Sequence, residues 1–379
     1  MKRNFQRRHF LGRRAIAAGF SLVELLVAMA VFLVVSAASF SLFARHETLL
    51  SQEQGITGLN IGLRNALSML QIDVVNAGSG QIMGPNVPAW PVGVTIYNSN
   101  PTTSQCNPSA TYPATYAAAC FDQLNVVMVD PNTPPVHPQN SAGGCIDTSA
   151  ASATLYGTIP VVINPATGLP WTVAQVAARF HSGDQVLFVT ATGSPYKYTT
   201  ALLNANGSVS TTPAGFAQLY FNSTLAAGGN SPGTPPANDP ISMTVNAPPA
   251  ELTNTFCTSD WVLRVLPIQY SVNVTNPSDP QLVRTQGGVP NVVMDQVIGF
   301  KVGAAWWNSG VSTFDYYYLT SAYNSDFTYV RSVRLTLIGR TAPSTDPTYT
   351  YRNPFDSGPY QIRGSSIVVN PRNLTMNND

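Results

Sequence analysis

The apolar run from Phe20 to Phe43 carries a single charged side chain, Glu24, and ends before Arg45, His46 and Glu47. Its 24 residues would extend about 36 Å as a helix, enough to cross a hydrocarbon core of about 30 Å. The spacing then changes: Ile56, Leu59, Leu63, Leu67, Leu70 and Val74 recur three or four apart. That is one apolar stripe, suited to packing a helix against a sheet. Gly55, Gly58 and Gly62 interrupt it, each costing about 1 kcal/mol against Ala, and predict a soft or bent stretch. Gly78 fits a C-cap after Asn76 and Ala77, and the Gly/Pro/Asn-rich sequence beyond it cannot continue a helix. The pattern thus predicts one long helix over 20–77, with 20–43 in a membrane.

From 78 to 290 short alternating or apolar runs are separated by turn-rich stretches. The pattern predicts strands at 93–97, 123–129, 154–162, 185–191, 217–222, 241–245, 261–272 and 281–285, with a short helix at 172–180 and a turn at 181–184. Stretches 98–104, 131–144 and 226–240 are rich in Pro, Gly, Ser and Thr and read as surface loops. The remainder, 291–379, is more regular, with strands at 291–302, 314–320 and 328–339 in one antiparallel meander. In the last of these, Val333, Leu335 and Leu337 alternate with Ser332, Arg334 and Thr336, as a half-buried strand requires. The fold class is α+β: a long N-terminal transmembrane helix packed on an antiparallel β-rich head.

Charge gives this layout a direction. Only 10% of residues are charged, with a formal net charge of +1, and the lack of basic excess argues against nucleic acid as a partner. Lys2, Arg3, Arg7, Arg8, Arg13 and Arg14 nevertheless crowd the first fourteen positions with no acid among them. The positive-inside bias places this tip in the cytoplasm and everything beyond Arg45 outside.

A secretory signal cut near Ser36-Ala37-Ala38, an uncleaved anchor and a buried core helix would each account for an apolar run. Glu24 weighs against all three, because a lone carboxylate in a membrane span costs about 2.5 to 3.5 kcal/mol and needs a partner. The array Gly19-Phe20-Ser21-Leu22-Val23-Glu24-Leu25 resembles the type III signal of type IV pilins and pseudopilins. The resemblance implies a leader over 1–19, cleavage after Gly19 by a prepilin peptidase, and N-methylation of Phe20. It also implies retention of Glu24 at the fifth mature position as an assembly residue. The physical sense is that cleavage releases an ammonium on Phe20, and a buried ammonium and carboxylate are tolerable only when paired.

Two further stretches resemble minor pilins of the PilW type: 63–78, and the strand set 295–340 followed by Tyr360-Gln-Ile-Arg and Asn370-Pro-Arg-Asn373. By resemblance the chain is a minor pilin of the type IV pilus that helps start the fibre near its tip. Its partners would then be other minor pilins, the major pilin and inner-membrane lipid. It would begin as a single-pass bacterial inner-membrane protein and end in the fibre at the cell surface. A minor pseudopilin of type II secretion and a pilin-anchored adhesin are the alternatives.

Cys106, Cys120, Cys145 and Cys257 all fall beyond the membrane, where disulfides persist. Three pairings are possible; Cys106 with Cys120 closes a Tyr/Ala/Pro loop and leaves Cys145 with Cys257. No CxxC pair suggests zinc, and neither a metal nor a cofactor is expected. An enzyme would have to draw on His137 or His181, each more simply an ordinary surface or packed histidine. Gly229-Asn-Ser-Pro-Gly233 has the letters of a nucleophile elbow without a strand before it or a helix after it. No catalytic residue is therefore assigned. The aromatic group Trp306, Trp307, Tyr316, Tyr317, Tyr318, Tyr323, Phe327 and Tyr329 divides by alternation into core and a possible contact surface.

Overall fold

The computed structural model describes residues 21–78, 93–97, 116, 121–147, 152–159, 161–190, 198–222, 255–308, 313–317, 330–344, 346 and 349–371. The chain divides into two compact units, one ending at Gly55 and one running from Ile56 to the C-terminus. Helix α1 (Leu22–Val75) begins in the first and ends in the second. Its stop lies where the sequence puts it: Asn76 and Ala77 continue as a turn, and Gly78 takes φ 70°, the left-handed conformation of a helix C-cap.

The second unit is built from strands. In chain order they are β1 (Val94–Tyr97), β2 (Gln123–Val129), β3 (His137–Gln139), β4 (Ile146–Asp147), β5 (Ser152–Thr158), β6 (Gln185–Val189), β7 (Tyr198–Leu203) and β8 (Ser208–Thr211). There follow β9 (Ala214–Asn222), β10 (Thr255–Phe256), β11 (Trp261–Asn273), β12 (Gln281–Gln286), β13 (Val289–Met294), β14 (Val297–Asn308), β15 (Thr313–Tyr317), β16 (Val330–Arg340) and β17 (Ile362–Val369). A one-turn helix, α2 (Val173–Ala177), precedes β6 and starts on a capping box between Thr172 and Gln175.

Among the described residues, eleven strands form one antiparallel sheet whose main path is β1-β2-β11-β6-β7-β9-β5-β3. A second sheet has the order β15-β14-β16-β17, and β4 pairs with β10. The thirteen-residue β11 is the spine of the large sheet. It pairs with β2 over 265–270, with β6 over 261–265 and with β12 over 268–273. Pro267 lies in the short interval between the β6 and β12 partners, where a residue without an N–H disturbs the ladder least.

Two cores result. The first gathers the stripe of α1 (Leu59, Leu63, Leu67, Leu70, Val74) with Leu124, Val126, Ile268, Tyr270 and Leu282 of the large sheet and Phe300, Val302, Val333, Leu335 and Leu337 of the four-stranded sheet. The second lies under the other half of the large sheet, around Phe180, Phe188, Phe221, Phe256 and Val262. Burying five Leu and Val side chains of α1, at about 1.5 to 3 kcal/mol each, far outweighs the cost of Gly58 and Gly62, about 1 kcal/mol each. The helix assignment accordingly continues through both glycines. Gly339 serves this packing directly, since a Cβ there would lie 2.7 Å from Leu59 Cδ1 and 2.7 Å from Met294 Cε.

Several expectations need correction. The strand expected over 291–302 is two strands, split at Asp295 and Gln296, where Gln296 turns with φ 58°. The first half pairs with β12 in the large sheet and the second opens the four-stranded sheet. The C-terminal strands are not a simple meander, because β16 pairs with β14 and β17, not with β15. The loop read at 131–144 contains β3, whose Pro138 and Gln139 are buried. The run extended to Val162 stops at Thr158, short of Pro160, which has no N–H to offer a ladder. Strands β3, β4, β7, β8, β10 and β17 were not foreseen. The strand expected over 241–245 and the loops over 98–104 and 226–240 lie outside the described residues.

Candidate processing and assembly site

Glu24 stands in the first turn of α1. Its backbone N–H donates to Ser21 Oγ (3.2 Å), and its Oε2 accepts from the Ser21 backbone N–H (3.0 Å). This is a reciprocal capping box, Ser-x-x-Glu, which satisfies two of the four N–H groups that open every helix. The acid therefore has a structural role at the start of α1 and one carboxylate oxygen beyond it. Ser21 is the residue that the sequence reading passed over, although serine three positions before Glu24 is the signal for a capping box. Gly19 and Phe20, the predicted cleavage and methylation positions, lie outside the described residues.

From Leu22 to Phe43 nearly every large apolar side chain is exposed, including Phe32 at 69% and Phe40 at 73%. Among the described residues α1 is the one helix long and apolar enough to cross a membrane. Apolar side chains in water are not a stable end state over such a length; lipid or other apolar helices are the environments that suit them.

Beyond Ile56 the helix is fixed to the sheets by more than its stripe. Asp73 is buried and takes three hydrogen bonds: Tyr270 Oη donates to Oδ2 (2.5 Å), Arg284 Nε to Oδ2 (2.7 Å) and Arg284 Nη2 to Oδ1 (3.4 Å). Burial, reinforced by the Asp73 carboxylate, pushes the Tyr270 hydroxyl far above its ordinary value, so it stays a donor. Gly78 donates its N–H to Val127 O (2.8 Å), closing the helix end onto β2. The opposite face leaves Ile61, Met69 and Ile72 exposed, a second apolar line on the same helix.

Two more ionic knots hold the sheets. Asp122 is fully buried and accepts from Lys301 Nζ (2.9 Å) and Val302 N–H (2.8 Å), joining the start of β2 to β14. Burial raises its carboxyl above the ordinary range even so. Arg264 of β11 bridges Asp130 (Nη1 to Oδ2, 2.7 Å) and Asp184 (Nη2 to Oδ1, 3.0 Å). Burial pushes Asp130 up, but donors from Thr133, Asn132 and Arg264 outweigh it and hold the carboxyl below its ordinary value.

The structure joins Cys145 to Cys257 across 112 residues of sequence. The bond sits beside the β4–β10 pair, where Ile146 meets Phe256 and Asp147 meets Thr255. Cys106 and Cys120 lie outside the described residues. His137 is not in a loop but in β3; its Nδ1 lies 2.8 Å from Asp260 O and its ring 4.0 Å from that of Trp261. His181 starts the predicted turn and pairs with Asp184 at 3.5 Å. The two histidines thus serve separate local contacts. Of the aromatic group, Trp306 and Trp307 fall on β14 and Tyr316 and Tyr317 on β15, while Tyr318, Tyr323, Phe327 and Tyr329 lie outside the described residues. No group of three or more metal-ligating side chains occurs among the described residues.

Residues 14–40 match the family model described as the prokaryotic N-terminal methylation motif. The chain carries a type IV prepilin signal. The match covers Gly19, Phe20 and Glu24 and continues through most of the apolar half of α1. Among solved structures, a type IV-like pilin from Thermus thermophilus is similar at 15% identity over 53% of this chain and 93% of that one. Its TM-score is 0.18, too low to carry an argument about the fold. No curated protein matches the chain.

Proposed function

We propose that this protein is a minor pilin of the type IV pilus, placed near the tip and taking part in the start of fibre assembly. The observation that carries the reading is the methylation motif over residues 14–40, which opens a helix that runs on into a large β-rich head. In this account a prepilin peptidase cuts after Gly19 and the new N-terminus at Phe20 is methylated. The apolar half of α1 waits in the inner membrane and then enters the fibre among the helices of the major pilin and other minor pilins. A head of this bulk is easier to accommodate at an end than in a repeating shaft. The proposed role is structural, with no reaction assigned to it.

Glu24 is the group on which assembly turns. Within one chain its box with Ser21 uses one carboxylate oxygen, and the other is free to take the Phe20 ammonium of a neighbour. Glu24→Ala removes the acid's cost in lipid but leaves that ammonium without its partner, a loss of roughly 3 to 5 kcal/mol at a buried contact. The variant should accumulate in the inner membrane at normal or higher levels and be missing from sheared pili. Wild-type incorporation would sink the assembly role of Glu24 and favour an adhesin that uses the helix only as an anchor. Co-fractionation with a type II secretion assembly, and not with pili, would favour a minor pseudopilin.

A further inference from the structure

The chain between β2 and β11 forms a lobe with a core of its own. It leaves and returns at one place: Val129 pairs with Val265, Asp130 N–H donates to Arg264 O (2.8 Å), and the Arg264 guanidinium binds the Asp130 carboxylate. Every residue of the second core, from Val136 to Val262, belongs to this excursion. The first core takes none of its buried members from between Val126 and Ile268, so the two cores share no side chain. A small cluster of Val127, Leu187, Val189, Leu263 and Val265, on β2, β6 and β11, joins the lobe to the rest of the sheet.

The strands β4 and β10 belong to this lobe but not to its sheet. Their ladder has two pairs, Ile146 with Phe256 and Asp147 with Thr255, and among the described residues neither strand pairs with another. A ladder that short has little stability of its own. Ile146 and Phe256 are nevertheless buried, and the Phe256 ring lies 5.4 Å from that of Phe188, itself 5.2 Å from Phe221. The adjoining Cys145–Cys257 bond ties the two strands together. Cys145 is exposed and Cys257 half-buried, so the cross-link is open to solvent while the side chains beside it are in the core.

We infer that Cys145–Cys257 is a redox-operated latch: reduction by a dithiol frees the β4–β10 pair and opens the second core, while the second half of α1 and the first core stay folded. A thiolate of the dithiol attacks the sulfur of Cys145, the S–S bond breaks, and Cys257 leaves as a thiolate and takes a proton. The second thiol of the reagent then displaces Cys145 from the mixed disulfide. The chain gains two electrons and two protons, and the dithiol is oxidised to its own disulfide. The loop closed by the bond holds all of the second core except Val136 and Val262, so the chain entropy regained on reduction belongs to the lobe. Opening is then local, as for a unit with its own buried contacts. It does not depend on processing at Gly19.

The test uses the full chain in detergent micelles with Cys106→Ser/Cys120→Ser, which leaves Cys145 and Cys257 as its only cysteines. Dithiothreitol without denaturant should open both to alkylation. Hydrogen exchange in β5, β6 and β9 should then quicken about thirtyfold or more, since loss of a native disulfide costs at least about 2 kcal/mol and about 1.4 kcal/mol is a factor of ten. Exchange in α1 beyond Ile56 and in β14 and β16 should stay as it was, and reoxidation should restore the original rates in the lobe. If the serine variant does not fold, the same measurements on the wild-type chain serve, with mass mapping of the alkylated cysteines to show that Cys145 and Cys257 have opened. A bond that resists dithiothreitol until denaturant is added, or reduction that leaves exchange in β5, β6 and β9 unchanged, would overturn the inference. Equal quickening in α1, β14 and β16 would overturn it too, because the bond would then support the whole head and not the lobe alone.

Discussion

Replacing Asp73 by Asn tests how the second half of α1 is locked to the head. The side chain keeps its shape, but the amide loses one acceptor and its charge. Arg284 is then left with no carboxylate and only partial access to water, its side chain being 19% exposed. Breaking one side of such a buried pair costs roughly 3 to 5 kcal/mol, and the residual access of Arg284 to water puts the loss near the lower end, about 3 kcal/mol. Tyr270→Phe removes a single hydrogen bond from the same network and should cost less, about 1 to 2 kcal/mol. For a unit of this size 1 kcal/mol moves the thermal midpoint by roughly 2 °C, so Asp73→Asn should melt about 6 °C lower. The assay is near-UV circular dichroism of the full chain in detergent micelles, which follows aromatic packing in the head while the apolar half of α1 remains in the micelle. Because Asp73 and Arg284 share the network, Asp73→Asn and Arg284→Met should be non-additive by about 1 kcal/mol or more. A midpoint within about 1 °C of wild type, or strict additivity, would refute the idea that this ionic contact fixes the helix.

Asp130 and Asp122 should respond to pH in opposite senses. The folded carboxyl of Asp130 lies below its ordinary 3.8, so its contribution is complete above that value and is lost as pH falls through the lower folded value. Asp130→Asn should therefore destabilise at neutral pH and make little difference in acid. The folded carboxyl of Asp122 lies above 3.8, so its ionisation opposes folding as pH rises from 3.8 through the raised value, and Asp122→Asn should remove that part of the pH slope. Thermal midpoints of both variants from pH 3 to 7 check the two signs. The pair Cys145→Ser/Cys257→Ser should cost about 2 to 5 kcal/mol, and equal melting of this variant and wild type would deny the bond a stabilising role.

Where local pattern was sufficient, the sequence located elements closely. The strand at 123–129 is β2 (Gln123–Val129), the stripe from Leu59 to Val74 is the buried face of α1, and the glycine after Asn76 and Ala77 closes the helix. The elements it missed have physical reasons for being silent. β4 and β10 have two residues each and stand beside a disulfide; β3 contains a proline; β17 includes Gly364, Ser365 and Ser366, which carry no apolar alternation. The Asp73, Tyr270 and Arg284 network joins positions 197 and 211 residues apart, and no window along the chain reports such a contact. The proposed assembly site is the reverse case. The sequence singles out Gly19, Phe20 and Glu24 because an acid in a membrane span is costly and stands at a set spacing from the proposed cleavage joint. The capping partner Ser21 was equally visible, yet its meaning emerged only from the reciprocal bonds at the start of α1.

The central claim, that this chain is processed as a type IV pilin, is tested most directly by intact-mass measurement of the protein from cells with an active prepilin peptidase. The account predicts a mature chain that begins at Phe20 and carries one added methyl group on its nitrogen, with the 1–19 leader absent. A mass showing the leader still attached, or cleavage near Ser36-Ala37-Ala38 as for a secretory signal, would contradict it.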